Sequence, residues 1–354
     1  MQGLIEAPEV RQASAAPNLF DLMPYRRTRG AVPAWLLTWA DPSFAVVYRG
    51  LHECGRRFAD FLLSAGGREP SEPDSSVTVH RHLDGADAVA ELGDGTAIVL
   101  VERVERQERF HRLDAMRARL SDRYGSENLC PVFIELGNQP NHAAAHAAGF
   151  QVVERRALLS HARDWFSPGF RSAVLVEYYD HMQSIEQATH EWRIRRADAW
   201  CDRGWQGFLS ALSGHLEHAS WGRLDRVEGR PWGMRWNWRH RPDAPVSYFL
   251  RTEGDDLCFR LCMQRYDFAA LSEGRDAWRE ALMASARSAG LELTEPDRPG
   301  WRISETVCVL PDFRRFDADG VLDFEATLEI VRTADAVYEE ACTALGAVST
   351  GGRP

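Results

Sequence analysis

Two carboxylates, Asp87 and Glu102, flank an Asp94-Gly95 dipeptide in the stretch GADAVAELGDGTAIVLVERVERQER. Asp-Gly between alternating apolar runs signals a two-residue hairpin turn, because both central residues of that turn need positive φ. Such a turn pairs Gly93 with Thr96 and sets Asp87 directly opposite Glu102, on one face of the hairpin. Carboxylates at that separation repel unless a cation bridges them, and a hard divalent ion is the natural bridge. In this register Val104 shares the face of Asp87 and Arg103 points to the other side. If Gly93 also belongs to the loop, the register slips by one and the pairing disappears. On residue type and position alone, an Asp and a Glu at the ends of a hairpin are most often solvated strand termini.

Positioning these groups requires a sheet, and the surrounding sequence supplies one. Apolar residues spaced in threes and fours from Pro33 to Leu63 predict helix, and the Gly/Pro/Ser-rich SAGGREPSEPDSS ends it. VTVHRHL then reads as a strand. After the hairpin come a helix from about Glu105 to Tyr124, a strand CPVFIEL, a short Ala-rich helix at 141–148 and a strand FQVVE. Alternation of strand and helix predicts an α/β sheet with helices packed on it. An amphipathic helix from Arg171 to Trp192 leads away from this unit, with Leu175, Tyr178, Met182 and Ile185 on one face. Beyond it, a helix at 196–216 precedes three strand-like segments, WGMRWNWRH, VSYFLRTEG and DLCFRLCMQR. Helices at 270–290 and 322–345 then flank a last strand in WRISETVCVLP. That order predicts an α+β domain built on an antiparallel meander.

The segments GADAVAELGDGTAIVLVE, LSDRYGSENLCPVFIELG and HAAGFQVVERRALL, the helix ending HEW, and the distal DLCFRLCM and GVLDFEATLEIV together resemble a stand-alone bacterial branch of the PD-(D/E)XK nuclease superfamily. The resemblance spans about residues 30–340. It implies a restriction-endonuclease-like core in which Asp and Glu hold Mg2+ and a Lys two positions after the Glu positions or activates the attacking water. Asp87 and Glu102 match the acids, but the Lys position reads Val104. Drawn without a gap from Gly95, the match instead places Val101 at the Glu and Arg103 at the Lys. Two further motif positions differ: the first helix reads GAVPAWLL where an acid is expected, and the helix after the hairpin reads FHRLDAM where a Gln is expected. Losses at several separate places imply a dismantled site.

Other candidates carry weaker chemistry. Arg103, Arg106, Arg109 and Arg112 recur every third residue; with Glu105 and Glu108 between them, they form a solvated, internally paired face before they form a phosphate-contacting stripe. His142 and His146 in HAAAH lack the adjacent Glu and third ligand of a zinc site. Gly93-x-Gly95 opens a strand and is no phosphate loop. In WGMRWNWRHR, alternation places Trp232, Met234, Trp236 and Trp238 on a core face. Arg235, Asn237, Arg239 and Arg241 then lie on the opposite face, a solvated surface or a site for an anionic partner. Seven scattered cysteines with no CxxC pair predict reduced thiols.

At 354 residues, with 44% hydrophobic and 27% charged residues, the chain has the composition of a globular protein of two domains. It holds no apolar run of membrane-spanning length and no basic-then-apolar leader, which places it in the cytoplasm and away from membranes. The formal net charge of -10 disfavours broad capture of nucleic acid. The expected architecture is a tail at 1–18, the nuclease-like core (a mixed sheet flanked by helices) at 19–165, a connecting helix at 166–195, the Trp-rich α+β domain at 196–346 and a tail at 347–354. The expected function is a catalytically degenerate nuclease-family protein, retained as a binding or regulatory module for DNA, RNA or a protein partner. Asp87 and Glu102 would be its remnant metal ligands, and Arg235, Arg239, Arg241, Arg106 and Arg109 its nucleic-acid contacts. The alternatives are an active Mg2+-dependent endonuclease of the restriction or phage-defence kind, with Arg103 or Arg106 replacing the lysine beside Asp87 and Glu102, and a structural subunit of a larger assembly. Mg2+ is a cofactor only if the metal site survives.

Overall fold

The computed structural model of the chain describes residues 30–103, 111–139, 142–166, 170–224, 232–242, 246–263, 268–296 and 304–349. It divides into two compact units, residues 1–137 with 143–184, and residues 138–142 with 185–354.

The first unit is built on a five-stranded mixed sheet. Its strands are β1 (Val77–Arg81), β2 (Ala88–Leu92), β3 (Ala97–Arg103), β4 (Leu129–Glu135) and β5 (Gln151–Glu154), in spatial order β1-β2-β3-β4-β5. The first three strands are antiparallel, and β3, β4 and β5 run parallel. Helices α1 (Ala31–Trp39), α2 (Arg49–Ala65), α3 (His111–Tyr124), α4 (Ala143–Ala147), α5 (Arg155–Ala162) and α6 (Ala173–His190) accompany it. All seven residues of β3 are buried, as a central strand covered on both faces must be, and this explains its unbroken apolar run from Ala97 to Val101. Val89, Val99 and Val101 pack with Leu113, Met116 and Leu120 of α3. Leu100 lies on the opposite face, against Gly30 at the start of α1. This is the mixed, helix-flanked α/β sheet expected from the alternation of elements.

The hairpin register is not the expected one. Leu92 N–H donates to Thr96 O, Gly95 has φ +88°, and the Asp94 carboxylate accepts from Thr96 N–H at 2.8 Å. The loop thus holds Gly93, Asp94 and Gly95, a three-residue turn closed by a left-handed glycine. Ala88 pairs with Leu100 and Glu91 with Ala97, and the Asp87 N–H also donates to Leu100 O, so Asp87 does not stand opposite Glu102.

The second unit contains β6 (Ser220–Arg223), β7 (Trp232–His240), β8 (Val246–Glu253), β9 (Asp256–Met263), β10 (Ser304–Leu310), the two-residue strands β11 (Arg315–Phe316) and β12 (Leu322–Asp323), and β13 (Val348–Ser349). An antiparallel sheet runs β10-β9-β8-β7-β13, with β6 also on β7. Helices α7 (Asp202–Ser213), α8 (Phe268–Ser288) and α9 (Phe324–Ala344) join it around one apolar core that includes Trp205, Phe208, Trp236, Tyr248, Phe259, Trp278, Val331 and Tyr338. Asp323 starts α9 by accepting from Ala326 N–H, an N-cap.

In β7 the expected alternation also breaks. The register with β8 shifts between Trp236 and Arg239, and Asn237 sits at φ +57°. This bulge exchanges the faces beyond it. Trp236 stays in the core, while Trp238 stacks on Phe249 at 4.2 Å, a residue outside that core cluster. Arg239, expected on the outer face, turns to α9.

Candidate functional site

The chemistry-bearing residues of the first unit meet where β2 begins and β3 ends. Asp87 immediately precedes β2. Its N–H donates to Leu100 O although Ala88 is the Cα partner of Leu100, so two residues answer one and the strand bends. The bend brings the Asp87 carboxylate under the backbone of the next strand, where Oδ2 accepts from Glu102 N–H at 2.8 Å. The same oxygen accepts from Arg103 Nη1 at 2.7 Å, and that nitrogen also donates to Glu102 O at 2.6 Å.

Glu102 points to the face of α1. Its Oε2 accepts from Gly30 N–H at 2.5 Å and its Oε1 from the Tyr178 hydroxyl of α6 at 2.6 Å. Gly30 is required here on two counts: its φ is +61°, and a Cβ would stand 2.7 Å from Cβ of Asp87. Asp87, Glu102 and Arg103 are 7%, 2% and 5% exposed, so each charge must be answered inside the protein. Burial raises the Glu102 pKa to about 7. The hydrogen bonds from Tyr178 and Gly30 and the charge of Arg103 hold it down, while the charge of Asp87 adds to the rise.

Asp87, Glu102 and Arg103 are therefore brought together, but not as the sequence predicted. Arg103 was expected on the face away from Asp87; it is instead the ion-pair partner of Asp87, because the slipped register and the bend put the end of β3 within its reach. Val101, which the ungapped match places at the Glu, is fully buried. Val104, Arg106 and Arg109 lie outside the described residues, as does the side chain of Arg112. Sequence reasoning missed Gly30 and the bond of Tyr178. A glycine just ahead of a helix was the only local sign of the first, and the inward face of α6 the only sign of the second.

The donor set fits a divalent ion poorly. Both Glu102 oxygens already accept protein hydrogen bonds, and Oδ2 of Asp87 accepts two. Among the described residues no group of three His, Cys, Asp or Glu side chains converges as a metal site, and none joins His142 and His146. All seven cysteines are free thiols.

The arginines of β7 are committed to the second unit. Arg239 pairs with Glu339 of α9, while Trp236 Nε1 and Asn237 Nδ2 both donate to Asp335 at 3.0 and 2.8 Å. Arg235 lies across from Arg251, which shares Oε1 of Glu253 with Arg260 at 3.0 and 2.6 Å. Arg241 is half-buried and its N–H donates to Val246 O. The same unit holds a cavity of about 280 Å3 lined by Arg196, Asp198, Asp255, Asp312, Arg314 and Phe316. The Arg314 guanidinium lies 4.7 Å over Trp205 and pairs with Asp255.

Comparison with known proteins finds no matching family model, no matching curated protein and no matching solved structure. No helix among the described residues is long and apolar enough to cross a membrane.

Proposed function

We propose that the first unit is a restriction-endonuclease-like domain whose catalytic centre has been replaced by a buried structural network, and that the chain serves as a binding or regulatory module. The observation that carries this is that both Glu102 oxygens and Oδ2 of Asp87 are already engaged by protein donors. Glu102 is held by Gly30 and Tyr178, and Asp87 by Arg103 and the Glu102 N–H, which leaves neither acid arranged to share an ion. The buried Val101, which the ungapped nuclease match places at the Glu, supplies no ligand. A protein partner suits the chain better than nucleic acid, because Arg239 is engaged by Glu339, and Arg251 and Arg260 share Glu253.

One observation favours a second reading, an active Mg2+-dependent endonuclease. Arg103 sits beside Asp87, where the ungapped nuclease match places its lysine, and could supply a positive charge to a scissile phosphate. A nicking assay separates the two. Wild-type protein is expected to leave supercoiled plasmid and single-stranded RNA intact in Mg2+ or Mn2+. Cleavage that is lost in Asp87→Ala would establish the endonuclease instead.

A further inference from the structure

We infer that the Arg103 guanidinium is a built-in cation occupying the position of a divalent ion, so that the wild-type chain takes no such ion at Asp87 and gains a site for one when the guanidinium is removed. The choice of a divalent ion rests on the nuclease-like reading proposed above; the geometry does not. Arg103 Nη1 lies 2.7 Å from Asp87 Oδ2 and 2.6 Å from the Glu102 carbonyl oxygen. A carboxylate oxygen and a carbonyl oxygen thus converge on one positively charged point. These are two of the oxygen types that coordinate Ca2+, at about 2.3 to 2.6 Å; they supply part of its shell of about six to eight, and water admitted where the side chain is removed would have to complete it. Mg2+ demands about 2.0 to 2.1 Å and a near-ideal octahedron, and it fits less well.

The surroundings hold the two oxygens in place without Arg103. Asp87 is fixed by its N–H bond to Leu100 O and by the Glu102 N–H on its carboxylate. Glu102 O belongs to the central strand β3, whose parallel pairing with β4 runs through Glu102 and Arg103. Removal of the side chain therefore frees both oxygens while the backbone that aims them stays paired. It also leaves the Asp87 carboxylate buried and without its cation, a costly state that either a replacement cation or a proton relieves.

The test uses Ca2+ and Mn2+ as probes on the full chain. Wild type is expected to show no change in Tm with either ion, and no Mn2+ immobilised by electron paramagnetic resonance. Arg103→Ala is expected to lose stability and then to regain at least about 5 °C in Tm at a hundredfold excess of Ca2+ over its Kd. Arg103→Lys retains a cation and should not respond. If Arg103→Ala does not fold, Arg103→Met keeps most of the packing volume and should respond in the same way. Adding Asp87→Asn to either variant should abolish the response. Mn2+ bound by wild type and lost in Asp87→Asn overturns the inference, as does ion-insensitivity of both Arg103 variants. Ion-insensitive variants of an inert wild type leave the proposed function standing; plasmid cleavage by wild type removes that reading.

Discussion

Glu102 is a carboxyl whose environment favours its neutral form while two donors favour its charged form. Burial wins and sets its pKa at about 7, above the ordinary 4.5. Because the folded pKa exceeds the unfolded one, the folded state holds an extra proton between these values. The stability that Glu102 contributes is complete below about pH 4.5 and is lost as pH rises through 7. The shift corresponds to something on the order of 3 kcal/mol. Glu102→Gln cannot ionise, and its amide can still accept from Gly30 and donate to the Tyr178 oxygen. Urea denaturation at pH 5 and pH 8.5 should show wild type losing this amount relative to the variant; a relative gain would mean that Arg103 keeps the carboxylate charged. The three charged residues of the cluster were legible because all lie in one hairpin. The donors were not, since Gly30 and Tyr178 reach Glu102 across 72 and 76 residues, a separation that only the folded sheet closes.

At the scale of elements, the sequence was informative about kind and order and less so about register. The mixed sheet, the helices on it and the antiparallel meander follow from periodicity, which needs only local side-chain pattern. The two errors of facing came from single backbone residues in left-handed conformation, Gly95 in the hairpin loop and Asn237 in β7. Each adds one residue to one side of a ladder, and a slip of one residue turns every later side chain to the other face. Glycine and asparagine both tolerate that conformation, so neither identity dictates where the extra residue falls. The bulge at Asn237 gives a specific expectation. Arg239 faces Glu339 of α9, so Arg239→Glu should set two carboxylates against each other at a half-buried site and cost about 1 to 3 kcal/mol in chemical denaturation. Combining it with Glu339→Arg should restore most of the loss. A purely solvated Arg239 would leave all three proteins equally stable.

Across the whole molecule, charge and its pairing decide what the chain can attract. The sequence carries 52 acidic residues against 42 Lys and Arg, and in the second unit the best-placed arginines are spoken for: Arg239 by Glu339, Arg314 by Asp255, and Arg251 with Arg260 by Glu253. Burial further lowers the Arg251 pKa to about 10, against the charge of Glu253, so this guanidinium is held in a poorly hydrated place and not on an open phosphate-binding face. Nonspecific binding to nucleic acid depends on releasing condensed counterions with exposed cations, and proteins that do it reach Kd values of roughly 10⁻⁴ to 10⁻⁶ M at physiological salt. The chain should fall at or beyond the weak end of that range for random duplex and single-stranded DNA. Its log Kd should change by less than about one unit between 50 and 200 mM salt, whereas a protein making six or more phosphate contacts changes by about three or more. Fluorescence anisotropy with labelled oligonucleotides measures both quantities. Micromolar binding with a steep salt slope would show that a basic groove exists despite the acidic total, and would favour nucleic acid over protein in the proposed binding role.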